Sequence, residues 1–517
     1  MRSWRTGWEG GRRGLAYLVA AAGLASATPA LAAEYLVSPA GDDNAAGAAA
    51  TPWRTLQRPW RTIRAGDTVT VEDGSYAGFG CDGTSGSAAA RIVIRARNRW
   101  GAKVTSASAS STEDFIQLNS CSYVTVDGFD VSGAPRSGIA ILGNADDGSD
   151  ARGVTIQNCY AHQNGGTVVA GRHDGVFSGF ALDLTIQDNR IDGTGEHGIY
   201  VSNAADNPAI LRNDVANTGA NGIQINADLS TGGDGLISNW RIEGNVVRNC
   251  RGSAGFNLDG AILGVARNNV IYNCARGGIT LFQGDGAQAS HGNLIVNNTV
   301  YNPTGSRAAI QVASGANDNI IFNNILYAQT TGLEIQTVTG LVHDYNLISS
   351  YSGGSAAAHE TAPAASTLFV APATGDLRLL PTASAVDHGV ATLGGASAPT
   401  TDVLGAGRPA GAAIDIGAYE QGAIAPTGTG GATGNGGANG AGGGRGGASG
   451  IGGRNGAGGG RGGSTDAGST DGTGNAAGTI DGGCGCRAGN ARGGWLTSVL
   501  VIPALALAPL GRRRRRR

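Results

Sequence analysis

Charged and aromatic residues are scarce in this chain of 517 residues: they make up 15% and 5% of it, and Lys103 is its single lysine. No three-residue glycine period runs through the sequence, which excludes collagen. Glycine itself is abundant, with 90 residues. Because glycine costs about 1 kcal/mol per helical position relative to alanine, a coiled coil or helical array is excluded as well.

The formal net charge of −2 averages segments of opposite charge. Residues 33–422 hold 22 Lys+Arg against 35 Asp+Glu, a net of −13, whereas both ends of the chain are rich in arginine. Nucleic acids require cationic surfaces, so the acidic body excludes them as partners. The same charge argues against electrostatic steering of an acidic polysaccharide by the whole body.

The N-terminus has the pattern of a secretory signal peptide. Four arginines precede the apolar run Leu15–Ala25, and small residues at Ala30 and Ala32 suit signal peptidase. We therefore expect residues 1–32 to be a signal peptide and the protein to be exported.

The C-terminal part of the chain has two segments. Residues 423–483 are rich in glycine and polar residues, which predicts a disordered linker. Residues 484–517 then contain Cys484 and Cys486, an apolar span over 495–510 and six terminal arginines. This arrangement resembles the C-terminal sorting signals of myxobacterial surface proteins. The resemblance implies display on the cell envelope or outer surface, with release after processing or membrane anchoring by this segment as alternatives.

A repeat with a base period near 23 residues organises the body. Fragments of the form Gly-apolar-polar-apolar recur at Gly138, Gly198, Gly222, Gly255, Gly278 and Gly332. An asparagine follows an apolar strand at the same cadence, at Asn189, Asn213, Asn245, Asn269, Asn298, Asn324 and Asn346. Short strands at this period predict an all-β fold, a right-handed parallel β-helix solenoid whose asparagines stack as an internal ladder.

Both ends of the body resemble secreted pectate-lyase-like β-helix proteins. At the start these are Val37–Asp43, Pro52–Leu56 and Ala65–Val69, and near the end it is Asp415–Glu420. The resemblance implies an N-terminal cap with the first coils over residues 33–104 and the β-helix over 105–422. It also implies a short helix that plugs the first coil, for which an apolar face is formed by Trp53, Leu56, Trp60 and Ile63.

Two cysteines and three aspartates are candidates for structural bonds. Cys250 and Cys274 lie 24 residues apart in matching contexts, which favours either a disulfide between coils or a buried thiol stack. Cys81, Cys121 and Cys159 lack comparable partners. Asp146, Asp147 and Asp150 form either a calcium site or a polar turn, and calcium is the one cofactor that the sequence suggests.

An outward polar patch on neighbouring coils is the candidate active site. Alignment of the coils places Tyr200, Gln224, Asn257 and Thr280 in one column and Ser202, Asn226 and Asp259 in a second. We predict a catalytic set consisting of His197, Tyr200, Asp259 and Glu196. The predicted substrate-binding set consists of Ser202, Gln224, Asn226, Asp228, Asp234, Asn257, Asp285 and His173.

The fold resemblance implies a polysaccharide as the partner of a monomeric protein. A lyase or uronate epimerase would abstract a proton with His197 as base and Tyr200 as acid. A lysine-dependent lyase is disfavoured because Lys103 lies in an early coil. A non-catalytic glycan-binding or adhesion module and a glycoside hydrolase are the alternatives, although the closing motif of polygalacturonases is absent from the sequence.

Overall fold

A computed structural model describes residues 32–143, 151–166, 173–203 and 205–425. The signal peptide, the glycine-rich linker and the C-terminal sorting segment that the sequence predicts lie almost wholly outside these ranges. Within them, no helix is long and apolar enough to cross a membrane.

Successive turns of the chain each place one strand in each of three parallel sheets. The strands are numbered along the chain. Sheet I contains β1 (Glu34–Val37), β2 (Thr68–Val71), β5 (Ile92–Ala96), β8 (Val124–Asp127), β11 (Thr155–Gln157), β14 (Thr185–Gln187), β17 (Ala209–Leu211), β21 (Arg241–Glu243), β25 (Val265–Arg267), β28 (Leu294–Val296), β31 (Ile320–Phe322) and β34 (Val342–Asp344). Sheet II contains β4 (Phe79–Asp82), β7 (Ile116–Asn119), β10 (Ile139–Leu142), β13 (Val176–Gly179), β16 (Ile199–Ser202), β19 (Ile223–Asn226), β23 (Ala254–Asp259), β27 (Gly277–Phe282), β30 (Ile310–Val312), β33 (Leu333–Ile335) and β36 (Tyr351–Ser352).

Sheet III lies after sheet I in each coil and before sheet II. It contains β3 (Gly74–Ala77), β6 (Ala102–Ser106), β9 (Asp130–Ser132), β12 (Tyr160–His162), β15 (Arg190–Asp192), β18 (Asp214–Ala216), β22 (Val246–Arg248), β26 (Val270–Tyr272), β29 (Thr299–Asn302), β32 (Ile325–Ala328) and β35 (Leu347–Ile348). The remaining strands form short pairs, β20 (Ile237–Ser238) with β24 (Ala261–Ile262), β37 (Phe369–Ala371) with β38 (Asp376–Leu379) and β39 (Thr392–Leu393) with β40 (Ala396–Ser397). Four single-turn 3-10 helices cover Pro59–Arg61, Leu229–Thr231, Ala365–Thr367 and Pro372–Thr374.

Alternation of side chains explains why these short segments form strands. In β11, Ile156 points into the coil and is fully buried, while its neighbours Thr155 and Gln157 are partly exposed. Residues of this type recur in register on adjacent coils, so the interior is one continuous apolar column. The all-β solenoid expected from the 23-residue period is confirmed.

The asparagine ladder lies at the turn from sheet I to sheet III. Asn269 shows the pattern: its backbone N–H and its Nδ2 both donate to Oδ1 of Asn298, at 3.0 and 2.9 Å, and Nδ2 also donates to the carbonyl of Ile242 at 2.8 Å. The seven asparagines picked out by the sequence continue this pattern from Asn189 to Asn346 and are buried. The ladder therefore satisfies turn amides that water cannot reach.

Glu360 ends the ladder. Its carboxylate accepts hydrogen bonds from Nδ2 of Asn346 at 2.7 Å, from the hydroxyl of Tyr351 at 2.8 Å and from the backbone N–H of Ala357 at 2.9 Å, and Nδ1 of His343 lies 3.0 Å away. Burial alone would raise the pKa of Glu360, but these hydrogen bonds outweigh it and lower the pKa below its usual range.

Stability is expected to depend on the ionisation of Glu360. Because its pKa is lowered in the folded state, the carboxylate stabilises the fold above the unfolded-state pKa of about 4.3, and this contribution is lost as the pH falls through the folded pKa. Glu360→Gln should therefore lower the melting temperature at neutral pH, and its difference from the native protein should shrink as the pH falls below about 4. A constant difference at all pH values would contradict this role.

One glycine at the start of a strand shows how closely the coils approach. A Cβ on Gly278 would lie 2.3 Å from the carbonyl oxygen of Ala309 and 2.4 Å from Cγ1 of Val300. The regularly spaced glycines of the sequence thus mark places where one coil meets the next without room for a side chain.

The N-terminal cap differs from the expected helical plug. Trp53, Leu56, Trp60 and Ile63 are buried, as their spacing suggested. However, the segment forms only the 3-10 turn Pro59–Arg61, and Trp53 instead pairs as an isolated bridge with Val37 of β1. Pro59 lacks the N–H that a longer helix needs, so the apolar residues fill the coil mouth from an irregular chain.

The coils end at β36, residues 353–364 cover the end of the stack, where Thr361 pairs with Leu347, and residues 365–425 return along the outside of sheet III. Leu368, Phe369 and Leu377 pack there in an apolar cluster with Val270 and Ile325, residues of sheet III. The sequence prediction carried the β-helix to residue 422 and so did not separate this segment.

The motif Asp415–Glu420 lies against the side of the coils. Nδ2 of Asn297 donates to the carbonyls of Asp415 and Gly417, at 2.9 and 3.0 Å. Arg408 and Glu420 form a fully buried ion pair at 2.8 Å. The returning segment thus covers the later coils of sheet III, whereas an open groove lies over sheet II.

Candidate functional site

The groove has a volume of about 640 Å³ and follows the outer face of five consecutive strands of sheet II, from β19 to β33, and it extends to Glu196 and His197 in the turn before β16. Parallel register brings Gln224, Asn257, Thr280, Gln311 and then Glu334 into one column along its floor. Strands in this direction are about 4.8 Å apart, so the groove is about 24 Å long. Apart from their first members, Tyr200 and Ser202, the columns aligned from the sequence therefore line a continuous groove.

Two arginines occupy one rim of the groove. Arg276 and Arg307 each lie three residues before Ile279 and Ile310, which are paired in register, so the arginines occupy equivalent positions on neighbouring coils. Both are exposed, and neither guanidinium is paired with a carboxylate of any residue that the structure describes. Glu196 takes the same position three coils earlier. This rim offers two free forks of N–H donors.

The opposite rim is a loop that Asp259 holds in place. Asp259 is buried, and its carboxylate accepts the backbone N–H groups of Gly284 at 2.8 Å, Asp285 at 2.6 Å and Gly286 at 3.3 Å. Burial raises the pKa of Asp259 and exceeds the opposing effect of these amides. Although the sequence placed Asp259 in the catalytic set, its oxygens are engaged by the loop, which indicates a positioning role.

Removing this carboxylate should loosen the loop without disturbing the coils. In Asp259→Ala, we expect the amides of Gly284 to Gly286 to exchange with deuterium at least about tenfold faster, since each loses a charged acceptor. Asp82 is a matched control because it occupies the same column on the first described coil of sheet II and is exposed. Unchanged exchange in Asp259→Ala would contradict the positioning role.

Asn226 connects this loop to Tyr200. Its Nδ2 lies 3.3 Å from the hydroxyl of Tyr200 and 3.3 Å from Oδ2 of Asp285. Tyr200 is itself buried, with its ring edge-on to His197 and Phe177 at centroid distances of 5.1 and 5.3 Å. Tyr200 therefore lies behind the groove wall, whereas Asn226 and Asp285 line the groove.

His197 is a buried, neutral imidazole. The backbone N–H of Asn221 donates to its Nδ1 at 3.2 Å, which leaves the proton on Nε2, 3.7 Å from Oε1 of Glu196. Burial lowers the pKa of His197 to about 3. Because the lone pair of Nδ1 already accepts a hydrogen bond, this geometry disfavours His197 as the general base that we expected. The protonated Nε2 lies near Glu196 but beyond hydrogen-bond distance.

Three side chains in this region also meet the spacing of a metal site. Asp174, Glu196 and His197 hold ligand atoms within 4.8 Å of one another. However, coordination through Nε2 would require loss of its proton while Nδ1 remains an acceptor, so the hydrogen-bonded arrangement is the more favourable one. The calcium candidates Asp146, Asp147 and Asp150 lie outside the described residues.

Some of the remaining predicted binding residues line the groove, and the others hydrogen-bond the backbone outside it or lie away from it. Gln224 and Asn257 line the groove, with Nδ2 of Asn257 donating to Oε1 of Gln224 at 3.4 Å. Asp228 caps the 3-10 turn Leu229–Thr231, and Asp234 accepts the backbone N–H of Leu236. These two, together with Ser202 and His173, do not line the groove.

Four of the five cysteines that the structure describes form two disulfides. Cys250 joins Cys274, with Cα atoms 4.3 Å apart, at the positions singled out by their spacing. Cys81 joins Cys121, so the expectation that these two lack comparable partners was wrong. Cys159 is free and buried, and burial raises the pKa of its thiol to about 12.

Sequence reasoning missed Arg276 and Arg307. It aligned the strand residues after each glycine but not the position two residues before it, where both arginines and Glu196 fall. Extension of the same alignment by one column would have found them.

The chain was compared with known families, curated proteins and solved structures. A family model for a right handed beta helix region matches residues 92–231. No curated protein matches significantly. The similar solved structures include pectate lyase Pel9A, at 15% identity over 76% of this chain and 97% of that one, with a TM-score of 0.48.

Two further solved structures have similar coverage of this chain. An alginate lyase from Paenibacillus sp. str. FPU-7 is 19% identical over 59% of this chain and 96% of that one, with a TM-score of 0.40. A GH136 lacto-N-biosidase from Eubacterium ramulus is 15% identical over 64% and 67%, also with a TM-score of 0.40. Together with the three parallel sheets, the matched region makes the described body a right-handed parallel β-helix.

Proposed function

We propose that the groove over sheet II binds an extended acidic glycan, and that Arg276 and Arg307 hold its carboxylate. The observation that carries this proposal is the pair of unpaired guanidinium groups on neighbouring coils at the rim of the groove. A guanidinium fork matches a carboxylate through two parallel hydrogen bonds, which makes arginine suited to this recognition.

The groove floor suits the neutral parts of a glycan. Gln224, Asn257, Thr280 and Gln311 present amides and a hydroxyl, the groups that hydrogen-bond sugar hydroxyls. Phe282 is the one aromatic residue among those that line it, so stacking on sugar rings contributes little. A length of about 24 Å over open coils fits a polymer better than a small ligand.

A second candidate is proton abstraction from the bound glycan, as in a lyase or epimerase. Glu196 supports it: this carboxylate lines the groove, and Nε2 of His197 lies 3.7 Å from its Oε1. In such a reaction Glu196 would accept the proton of a sugar bound beside it, three coils before Arg276. A purely glycan-binding surface module requires no such step.

Export and display at the cell envelope complete the proposal. The signal-like residues 1–32 and the Cys-containing segment 484–517 support it, and two disulfides suit an oxidising compartment.

Mass spectrometry of the protein purified from its native envelope should find an N-terminus near Ala33. An intact N-terminus at Met1 would contradict export by signal cleavage.

Titration calorimetry of the purified body tests the binding proposal. We expect acidic oligosaccharides to bind with micromolar to millimolar affinity and neutral ones of equal length to bind at least about tenfold more weakly. Equal affinity for both would overturn the role of the arginines.

Ultraviolet absorbance from an unsaturated product, or exchange of substrate hydrogen with deuterated water, would establish proton abstraction. Absence of both would leave a binding module.

A further inference from the structure

The charges along the groove are unevenly distributed. Four carboxyl groups line it, those of Glu196, Asp259, Asp285 and Glu334, against the two guanidinium groups of Arg276 and Arg307. Since His197 is neutral, the lining has two more negative than positive groups. The two arginines therefore form a small cationic patch in a groove, and on a body, that are otherwise acidic.

The positions of the carboxylates set the limits of this cationic patch. Glu196 lies three coils before Arg276 on the same rim, which is about 14 Å at the spacing of parallel strands. Glu334 lies on the floor one coil after Arg307, where Oε2 accepts a hydrogen bond from Nε2 of Gln311 at 3.1 Å. Asp285 lies on the loop at the other rim, where its Oδ2 is 3.3 Å from Nδ2 of Asn226.

Apart from the buried Asp259, which the loop engages, no charged residue lies in the groove lining between the arginines and these carboxylates. On the N-terminal side the lining includes Asn221, Gln224, Ser253 and Asn257, and next to Arg307 it includes Gln311, Ser314 and Thr331. Amides and hydroxyls of this kind can pair with sugar hydroxyls but do not neutralise a carboxylate. Only one short stretch of the groove is thus suited to negative charge.

A polymer with an acid on every sugar would fit this pattern poorly. Its central carboxylates would meet the arginines, but its neighbouring ones would approach Glu196, Asp285 and Glu334, none of which pairs with an arginine or lysine among the residues that the structure describes. Like charges in a groove of reduced dielectric repel more strongly than in water. A glycan whose acidic sugar is flanked by neutral sugars avoids that repulsion.

We infer that the groove selects a heteropolysaccharide in which an isolated uronate is flanked by neutral sugars, and disfavours homopolymeric uronates. This inference rests on the proposed function and specifies its substrate class. Glu196 and Glu334 act as specificity determinants because they repel a second and third charge on either side of the arginines. Asp285 adds to the repulsion on the opposite rim.

Binding of three length-matched oligosaccharides tests the inference. One is released from deacylated gellan, which carries a single glucuronate among neutral sugars; one is an oligogalacturonate; and one is a neutral cello-oligosaccharide. Each is titrated into the native protein, into Glu196→Gln/Glu334→Gln, and into Glu34→Gln as a control. Glu34 is exposed on the first coil, so its replacement removes charge at a distance from the groove.

The native protein should bind the gellan oligosaccharide at least about tenfold more tightly than the oligogalacturonate at low ionic strength. The double variant should bind oligogalacturonate several-fold more tightly than the native protein does, so that its preference for gellan falls, and Glu34→Gln should change neither affinity. Equal or tighter native binding of oligogalacturonate, or no gain in the double variant, would overturn the inference while leaving the proposed function intact. Failure of both acidic ligands to bind any of the proteins would instead overturn the proposed function, and the inference with it.

Discussion

Replacement of Arg276 and Arg307 together by glutamine is expected to weaken binding of an acidic oligosaccharide by about 100-fold, since each guanidinium contributes about a factor of ten through charge-assisted hydrogen bonds at an open rim. Affinity for a neutral oligosaccharide of equal length should remain within about twofold. The loss should lie mainly in the dissociation rate, because it removes direct contacts. Titration calorimetry of the two ligands measures the selectivity.

Two control variants sharpen this experiment. Arg64→Gln removes an exposed arginine of the N-terminal cap and should leave both affinities unchanged. Arg276→Lys retains the charge but lacks the planar fork, so an intermediate loss indicates bidentate recognition rather than simple attraction. An equal loss for acidic and neutral ligands in the double glutamine variant would show that it disturbs the groove in general and would contradict the assignment.

Asn269→Ala is expected to lower the free energy of unfolding by about 3 kcal/mol. The substitution removes the acceptor for the backbone N–H and Nδ2 of Asn245, at 2.9 and 3.0 Å, and the donor to the carbonyl of Ile242. These groups are buried in the coil stack, so water cannot replace the lost partner without opening it. Chemical denaturation of the two proteins measures the difference.

Asn98→Ala provides the comparison for the ladder. Asn98 is exposed, and its Nδ2 donates to Asp73 at 3.0 Å on the surface of the cap. Loss of an exposed hydrogen bond of this kind should cost less than about 0.5 kcal/mol. If the two variants were destabilised to the same small extent, the interior ladder would not be a major source of stability.

The coils could be predicted because their physical requirements recur at a fixed spacing. Each coil needs an inward apolar residue such as Ile156, a ladder position such as Asn269 and a close approach such as that at Gly278, and all three are visible in the sequence. Where a coil carries an insertion, equivalent residues on neighbouring coils are no longer separated by the base period. Cys81 and Cys121 are 40 residues apart although Cys81 lies in β4 and Cys121 follows the neighbouring strand β7, so period alone could not pair them.

The groove could be located from the sequence, but the roles of its residues could not. His197, Tyr200 and Asp259 fall in the predicted patch. However, each is buried and forms a hydrogen bond with a residue of the next coil. An amide from Asn221 fixes the tautomer of His197, and amides from the loop after β27 occupy Asp259. Such contacts arise from the exact stacking of coils and have no signature in the spacing of the residues themselves.

A crystal structure of the body with a uronate-containing oligosaccharide would test the proposed site most directly. We expect the glycan to lie in the groove and to cross the strands of sheet II, from the coil of β16 to that of β33. One of its carboxylates should lie within hydrogen-bond distance of the guanidinium groups of Arg276 and Arg307. An oligosaccharide bound on another face, or bound in this groove with its carboxylates away from both arginines, would contradict the proposed function.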